Sequence, residues 1–291
     1  MNQGKQAVSA VLFERVSEVR EWVRSERSTG RTIGFVPTMG ALHAGHASLI
    51  EQAAAACDRV VVSVFVNPTQ FNDQGDYTGY PLTPESDVAL VEASGGDAVF
   101  MPAVQEIYAG LPRVEAVDYG LITSGWEAAD RPGHFDGVVA IVDRLFEAVG
   151  PNRTYFGEKD LQQLAVVRML ARQRHPNVEV VGCPLVRDAD GLALSSRNVR
   201  LSQGERAQAR ALPQVLHRLR EALQAGEVPD EALGRARVAL AGAEGVELAY
   251  LDLVHRDTFM PWKQGASGPF FAVAAVRVGG VRLLDNLEVL P

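Results

Sequence analysis

The sequence has very little cysteine. Only two cysteines occur among 291 residues, too few for a disulfide framework or a zinc ribbon. They are Cys57 and Cys183, each beside an apolar segment, so we expect two buried structural thiols. Low cysteine usage is typical of proteins from a reducing compartment, and we therefore expect a cytoplasmic location.

Long hydrophobic runs and an excess of positive charge are also missing. No apolar stretch approaches the roughly 20 residues that cross a bilayer. Residues 1–7 are polar and residues 8–23 are amphipathic, which argues against a signal peptide. The formal net charge of −8 opposes contact with a polyanionic backbone. We expect neither a membrane nor a nucleic-acid partner, although a small anionic ligand needs only local positive groups.

Two common nucleotide-binding motifs are absent as well. The chain contains neither a Walker A loop nor a G-x-G-x-x-G fingerprint, so the P-loop and dinucleotide-binding interpretations lose support. What is present is 47% hydrophobic and 22% charged residues, a balance typical of a globular protein with a substantial core. The length suits two domains of ordinary size or one large one.

Apolar strand patterns and helical patterns alternate through most of the chain. The first predicted element is an N-terminal helix with Leu12, Val16, Val19 and Val23 at helical spacing. Strands are predicted at residues 32–36, 60–66, 98–101, 154–156 and 179–183. We expect a polar loop at 72–84 and an irregular segment at 123–137. Strands alternating with helices predict an α/β fold with a Rossmann-like parallel sheet.

The pattern changes near residue 187. Ser202 and Glu205 form a capping-box signature for a helix to about residue 225, which Pro213 should bend or interrupt. A second helix at 230–241 precedes strands at 246–254, 270–278 and 281–284, the last two joined by a Gly-Gly turn. We therefore expect two domains, 1–186 and 187–291, the second a smaller α+β domain with an antiparallel sheet.

The turn P-T-M-G-A-L-H-A-G-H at residues 37–46 joins the first of these strands to a helix. A helix N-terminus offers unpaired N–H groups and a partial positive charge, which suit a phosphate. Gly40 and Gly45 permit close backbone approach, and His43 and His46 add donors for charge developing on a phosphoryl group. The turn predicts a nucleotide-phosphate site. Zinc is the weaker alternative, because these histidines are three apart and no Cys or carboxylate pair adjoins them.

Other polar clusters follow other strands. They contain Asn67 and Gln70; Gly157, Lys159, Asp160 and Gln163; and Ser195, Ser196 and Arg197. Because parallel strands share one carboxyl edge, the clusters that follow strands of the sheet should converge with the histidine turn. Lys159 and Arg197 supply positive charge for a polyphosphate, and the two glutamines suit a carboxylate or hydroxyl group. Asp160 either binds Mg²⁺ or caps the following helix, with the cap slightly favoured.

These segments resemble one enzyme family over nearly the whole chain. The similar segments are P-T-M-G-A-L-H-A-G-H, F-V-N-P-T-Q-F at 65–71, R-P-G-H-F at 131–135, Y-F-G-E-K-D-L-Q-Q at 155–163, D-G-L-A-L-S-S-R-N at 190–198, A-V-R at 275–277 and D-N-L at 285–287. The family is pantothenate synthetase, the pantoate–β-alanine ligases of the H-x-G-H nucleotidyltransferases. The H-x-G-H motif alone is shared by many transferases, whereas its combination with P-T-Q-F and G-E-K-D-x-Q-Q is specific.

The resemblance implies a two-step reaction. Pantoate is first adenylylated by ATP with release of pyrophosphate, and β-alanine then displaces AMP to give pantothenate. Mg²⁺ is expected with the ATP, and a homodimer is expected through the N-terminal domain. The resemblance makes residues 1–186 the nucleotide- and pantoate-binding catalytic domain and residues 187–291 a lid.

The resemblance also implies residue roles. The positions expected to bind ATP are Met39, Gly40, Ala41, Leu42, His43, Ala44, Gly45, His46, Gly157, Glu158, Lys159, Asp160, Val186, Leu194, Ser195, Ser196 and Arg197. His46 corresponds to the family's proton donor, and we expect it to donate to the phosphate in the transition state. His43 and Lys159 are expected to act with it. Gln70 and Gln163 correspond to the pantoate-binding glutamines, with Gln70 also near β-alanine.

Some positions depart from the family pattern, and other functions stay open. Residues 79–82 read G-Y-P-L where an arginine-containing run is common, and Asp130 precedes the R-P-G-H-F motif. These departures lie outside the core motifs and concern lid or dimer contacts. The runner-up is a nucleotidyltransferase with a phosphorylated alcohol as acceptor, which the two glutamines disfavour. A class I aminoacyl-tRNA synthetase and a non-catalytic nucleotide-binding module are the further alternatives.

Overall fold

The computed structural model describes residues 9–71, 74–108, 110 and 114–290. Their backbone contacts divide them into two compact units. The first contains the described residues within 1–119, 131–158 and 166–184, and the second those within 120–130, 159–165 and 185–291. Two short segments from the middle of the chain are therefore grouped with the C-terminal residues.

In the described chain, successive strands are separated by one to three α-helices as far as residue 183. In chain order they are β1 (Val11–Phe13), α1 (Val16–Ser28), β2 (Ile33–Thr38), α2 (Ala44–Ala56), β3 (Arg59–Val64), α3 (Gln74–Thr78), α4 (Pro84–Ala93), β4 (Ala98–Phe100), α5 (Val104–Tyr108), α6 (Glu127–Asp130), α7 (His134–Val149), β5 (Arg153–Gly157), α8 (Leu161–Arg174) and β6 (Glu179–Cys183). The remaining elements are α9 (Gln203–Ala209), α10 (Ala211–Gln224), α11 (Pro229–Ala241), β7 (Glu247–His255), β8 (Phe270–Val278) and β9 (Val281–Leu290).

The first unit is built on a parallel sheet with the order β1-β4-β3-β2-β5-β6. Its central strands are buried on both faces, as continuous apolar runs such as residues 60–62 require. The chain moves outward from β2 to β3 and later returns to place β5 on the other side of β2. The strand order therefore reverses at β2, and ligands of open α/β sheets bind beside such a reversal.

The second unit contains an antiparallel sheet in the order β7-β8-β9. The apolar faces of α10 and α11 share a hydrophobic core with this sheet, which includes Leu216, Leu240 and Leu251. Gly279 and Gly280 both have positive φ and form the turn between β8 and β9. The expected α/β fold with a smaller α+β part is confirmed.

Several local predictions are also confirmed. The Ser202 hydroxyl accepts from the backbone N–H of Glu205, and the Glu205 carboxylate accepts from the backbone N–H of Ser202, so the capping box is present. The helix that it starts is interrupted at Arg210, three residues before Pro213. Cys57 and Cys183 are both free and buried. Burial raises the pKa of the Cys183 thiol to about 11, which fits an inert structural role.

Three local predictions were wrong. Leu12 lies in β1, which pairs with β4, and α1 starts only at Val16. The expected loop at 72–84 contains α3, with residues 72 and 73 outside the described part of the chain. The expected irregular segment at 123–137 contains α6 and the first turn of α7. The missed pieces are short, so tertiary contacts rather than sequence periodicity decide their conformation.

No helix among the described residues has the length and apolar character needed to cross a membrane.

Candidate active site

The histidine turn occupies the carboxyl end of β2 and caps α2. His43 is the N-cap residue, and its Nδ1 accepts a hydrogen bond from the backbone N–H of Gly45 at 3.1 Å. His46 returns the contact, since its Nδ1 accepts from the backbone N–H of His43 at 3.3 Å. The two rings lie with centroids 4.1 Å apart. This is a capping box made from two histidines in place of the usual Ser or Thr and Glu.

The capping contacts also decide where each neutral ring carries its proton. A neutral imidazole has one donor and one acceptor nitrogen. Because Nδ1 of His43 and of His46 accepts a backbone N–H, the hydrogen of each neutral ring is on Nε2. The turn therefore combines the partial positive charge of a helix N-terminus with two ring donors that belong to adjacent imidazoles.

A buried carboxylate in α4 holds the backbone of the turn. Asp87 is 1% exposed, and its two oxygens accept the backbone N–H groups of Ala41 at 3.1 Å and Leu42 at 2.8 Å. Gly40 and Ala41 both have positive φ, at 83° and 50°. A Cβ at Gly40 would lie 2.9 Å from Val64 Cγ1 and 3.0 Å from Asp87 Oδ2. Glycine is therefore required here by backbone conformation and by lack of space.

The turn after β3 lies next to the histidine turn. The Gln70 amide nitrogen lies 2.7 Å from the Met39 sulfur, so these two sites predicted from the sequence meet. Asn67, 1% exposed, donates to Gln70 Oε1 at 3.2 Å. Its own Oδ1 accepts from the Tyr108 hydroxyl at 2.7 Å, and burial raises the pKa of that hydroxyl. Asn67 therefore orients the Gln70 side chain and is itself fixed by a neutral donor.

The R-P-G-H-F motif fixes the Gln70 backbone. The Gln70 carbonyl accepts from His134 Nδ1 at 2.9 Å and from Arg131 Nη2 at 3.2 Å. Arg131 Nη1 lies 3.1 Å from His134 Nε2, which makes Nε2 the acceptor and Nδ1 the donor of a neutral His134 ring. Helix α7 approaches the same turn at Gly137, whose carbonyl accepts from Asn67 Nδ2 at 3.0 Å.

In the second unit, Lys159 and Ser195 line one small cavity together with Asn198 and Asp285. Lys159 Nζ lies 3.5 Å from Asp160 Oδ1. The Ser195 hydroxyl accepts from the backbone N–H of Arg197 at 3.3 Å, as the N-cap of a 3-10 helix over Ser196–Arg200. The structure thus places a lysine and a serine, predicted from separate motifs, around the same cavity.

Two successive glutamines of α8 have different surroundings. Gln162 is 5% exposed, and its amide donates to the carbonyls of Ile122 at 2.8 Å and Gly125 at 2.9 Å. Its carbonyl accepts from the backbone N–H of Glu127 at 3.0 Å. Gln163 is only half-buried. Gln162 is therefore a structural anchor for residues 120–130, a role that the sequence did not distinguish from that of its neighbour.

Two of the three positions that depart from the family pattern have local contacts in the structure. Asp130 pairs with Arg282 at 2.5 Å and with Arg277 at 3.7 Å, both on the C-terminal sheet. The Gly79 N–H donates to the Gly75 carbonyl at 2.9 Å. Leu82 is an exposed apolar side chain, and no contact among the described residues explains it.

Comparison with known proteins identifies the family. The family model described as pantoate–β-alanine ligase matches residues 11–288. The chain belongs to the pantoate–β-alanine ligase family. The expected family, enzyme class and ATP-dependent joining of pantoate to β-alanine are thereby confirmed.

Curated relatives of this family match over almost their full length. The chain is 46% identical over 280 residues to the pantothenate synthetase of Cereibacter sphaeroides, covering 96% of this chain and 99% of that protein. It is 49% identical over 265 residues to the pantothenate synthetase of Corynebacterium glutamicum, covering 89% of this chain and 94% of that protein.

Solved structures of pantoate–β-alanine ligases agree with the fold. The pantothenate synthetase of Thermus thermophilus superposes with a TM-score of 0.90 at 45% identity, over 97% of this chain and 100% of that one. The pantoate–β-alanine ligase of Francisella tularensis, complexed with β-γ ATP and β-alanine, gives a TM-score of 0.78 at 31% identity, over 96% of this chain and 97% of that one.

Among the residues that the motifs miss, Asp87 has the most direct contact with the backbone of the histidine turn. In the sequence it is an ordinary acidic residue in the first turn of a helix. Only its contacts with the histidine turn, some 45 positions away, show that it holds the backbone of that turn. Asp87→Asn replaces one acceptor oxygen by a donor facing a backbone N–H, and a hydrogen bond to a charged group contributes about 1.5–3 kcal/mol. We expect the KM for ATP to rise about tenfold, since 1.4 kcal/mol is a factor of ten.

Glu92→Gln is the matched control for Asp87→Asn. Glu92 lies in the same helix, and its carboxylate accepts from the backbone N–H of Ala10 at 2.9 Å. This variant should lower the unfolding temperature without changing the KM for ATP. Equal KM values for both variants, measured by steady-state kinetics, would show that Asp87 does not set the shape of the histidine turn.

Proposed function

We propose that the enzyme works through a pantoyl-adenylate intermediate. The pantoate carboxylate attacks the α-phosphorus of ATP and pyrophosphate leaves. The β-alanine amine then attacks the activated carbonyl, and AMP leaves. This chemistry requires alignment, charge neutralisation and exclusion of water more than covalent help from the protein. The supporting observation is the histidine turn, which combines a helix N-terminus and two imidazoles at the reversal of strand order.

The histidine turn is proposed to bind the ATP phosphates. Backbone N–H groups at the start of α2 attract negative charge, and the residues proposed for this contact are Met39, Gly40, Ala41, Leu42, His43, Ala44, Gly45 and His46. His46 donates from Nε2 to a phosphate oxygen as negative charge develops in the transition state. His43 supports it from the adjacent ring position.

Residues of three further segments are proposed to complete ATP binding. They are Gly157, Glu158, Lys159, Asp160, Val186, Leu194, Ser195, Ser196 and Arg197. Lys159 and Arg197 neutralise phosphate charge, and the Ser195 hydroxyl lines the same cavity as Lys159. The Val186 carbonyl already accepts from the backbone N–H of Leu194 at 3.0 Å, which holds the hairpin that leads to Ser195.

Gln70 and Gln163 are proposed to bind pantoate, with Gln70 also near β-alanine. An amide offers both a donor and an acceptor, which matches a substrate with a carboxylate and hydroxyl groups. Support for Gln70 comes from its fixed conformation, because Asn67 orients its side chain and His134 its backbone. A phosphorylated acceptor would call for additional cations instead of this amide.

Mg²⁺ is proposed to enter as part of the MgATP substrate. Among the described residues no three His, Cys, Asp or Glu side chains form a cluster able to hold a metal ion. That fits Mg²⁺, which takes most of its ligands from phosphates and water in nucleotide sites. Asp160 beside Lys159 is the carboxylate that would contact it, and the ion would neutralise phosphate charge.

We further propose a cytoplasmic homodimer. Two buried free thiols suit a reducing compartment. Strand β1 ends the parallel sheet of the described chain and exposes Val11 and Leu12, an apolar edge that a second copy can cover. Light scattering of the purified enzyme tests the dimer, and a monomer mass at micromolar concentration would contradict it.

The decisive experiment follows the two half-reactions separately. With ATP and pantoate alone, the enzyme should release one equivalent of pyrophosphate and hold a pantoyl adenylate. Adding β-alanine should then release AMP and pantothenate. Pyrophosphate release without pantoate, or no pyrophosphate until β-alanine is present, would contradict the adenylate mechanism.

A further inference from the structure

The dipeptide Asp285-Asn286 on β9 has no role in the reaction as described so far. Asp285 is 3% exposed and Asn286 is also buried. The other inward positions of β9, such as Leu283 and Val289, are apolar and belong to the hydrophobic core. A polar pair in this strand therefore requires an explanation, because buried polar groups lower stability unless they are fully paired.

Asp285 holds the segment that leads to Ser195. Arg187 donates to Asp285 Oδ2 at 2.7 Å and to Oδ1 at 2.8 Å, a two-pronged contact. The same guanidinium donates to the Gly191 carbonyl at 2.9 Å. Arg187 pairs with Ala193 in an antiparallel bridge, so the buried Asp285 carboxylate acts on the hairpin before Ser195 through Arg187.

Asn286 holds the segment that contains Lys159. Its Nδ2 donates to the Lys159 carbonyl at 2.9 Å. Arg187 also donates to the Asn286 carbonyl at 3.2 Å, which connects the two halves of the pair. Asp285, Lys159 and Ser195 line one cavity. One dipeptide thus ties together two segments that are distant in sequence and carry proposed phosphate-binding side chains.

We propose that Asp285 and Asn286 are positioning residues for adenylate formation. Asn286 fixes the Lys159 peptide, and Asp285 acts through Arg187 on the hairpin before Ser195. The Lys159 and Ser195 side chains are thereby presented to the same triphosphate. The proposal rests on the proposed function of Lys159 and Ser195. A buried ion pair is in general no better for stability than a well-packed apolar group, whereas a planar, two-pronged contact fixes geometry. The pair is therefore better explained by alignment than by stability.

The test uses the full-length enzyme and measures each half-reaction in a single turnover. The first is pyrophosphate formation from ATP and pantoate, and the second is pantothenate formation from preformed pantoyl adenylate and β-alanine. Asn286→Ala should slow the first about tenfold and leave the second within about twofold, because small misplacements of a phosphate-binding group affect only the step that uses it. Asp285→Asn should have the same selectivity with a larger effect.

Lys159→Met is the reference and Leu240→Val the stability control. Lys159→Met should slow the first half-reaction about 10²-fold. In that background Asn286→Ala should add less than about twofold, since residues that act as a unit are not additive. Leu240 lies in the same hydrophobic core without lining the cavity, so its variant should lose stability and keep both rates.

The outcomes are distinguishable. Selective and non-additive slowing supports the positioning role. Equal slowing of both half-reactions, or full additivity with Lys159→Met, would overturn it. A normal rate for Lys159→Met would overturn the proposed role of Lys159 itself, and this proposal with it. Arg187→Lys gives an independent check: an unchanged rate would show that charge alone suffices and would overturn the alignment argument.

Discussion

Replacing His46 with alanine is expected to slow pyrophosphate formation by about 10²-fold or more, the usual cost of removing one transition-state donor. The physical reason is the position of its proton. Since Nδ1 accepts the backbone N–H of His43, a neutral ring presents its hydrogen on Nε2. That donor matters most when negative charge develops on the phosphate oxygens. The rate of pyrophosphate formation is measured by rapid quenching after the enzyme is mixed with ATP and pantoate. The ATP dissociation constant should change far less than this rate.

His46 has two functions in the structure, and one variant separates them. Besides its proposed donation from Nε2, the ring caps α2 through Nδ1. Asparagine places an acceptor close to the position of Nδ1 but has nothing in place of Nε2. His46→Asn should therefore recover part of the stability that His46→Ala loses, about 1 kcal/mol for a cap, without recovering the rate. A recovered rate would show that the capping contact is the important one.

A histidine elsewhere provides the control for this comparison. His175 lies after α8, and its Nε2 contacts Asp143 Oδ1 at 2.7 Å. His175→Gln should reduce stability and leave pyrophosphate formation unchanged. Loss of rate in both His175→Gln and His46→Ala would mean that general destabilisation, rather than loss of a donor, explains the result.

The sequence predicts the sheet well because its central strands carry their own signal. The run at residues 60–66 is apolar except for Ser63, as suits a strand buried on both faces, and its first five residues lie in β3. β1 has no such signal. Its three residues precede Val16, Val19 and Val23 at helical spacing, and only pairing with β4 makes them a strand. Long-range pairing of this kind is not encoded in a local pattern.

The residues of the candidate site also fall into two groups, those recognised from local motifs and those recognised only from long-range contacts. H-x-G-H and P-T-Q-F are visible in sequence because their chemistry depends on neighbouring residues. Asp87 and Gln162 are not visible, since each acts on backbone groups of a distant segment. An isolated Asp or Gln in a helix is most simply interpreted as a surface residue. The residues proposed to bind substrate are thus found by motif, whereas those that shape the backbone around them require the structure.

Gly137 is the clearest example of a residue that shapes the backbone of the site. Gly137→Ala is expected to raise the KM for pantoate at least about tenfold, a change of about 1.4 kcal/mol or more. A Cβ at this position would lie 2.3 Å from the Thr69 carbonyl oxygen and 2.8 Å from the Gln70 nitrogen. Both neighbours are backbone atoms, so no side chain can move aside. The turn bearing Gln70 must shift, and overpacking of this sort costs about 1–3 kcal/mol in stability.

Gly234→Ala is the matched control for Gly137→Ala, because at Gly234 the same substitution is expected to raise stability instead of lowering it. Alanine is the better helix former by about 1 kcal/mol, and a Cβ at Gly234 in α11 would meet nothing within 4 Å. That variant should be slightly stabilised, with an unchanged KM for pantoate. The two substitutions are chemically identical and both lie inside helices, so any difference between them measures the close approach of α7 to the Gln70 turn. If Gly137→Ala also kept its KM for pantoate, the position of that turn would not control pantoate binding, and Gln70 would lose its proposed role.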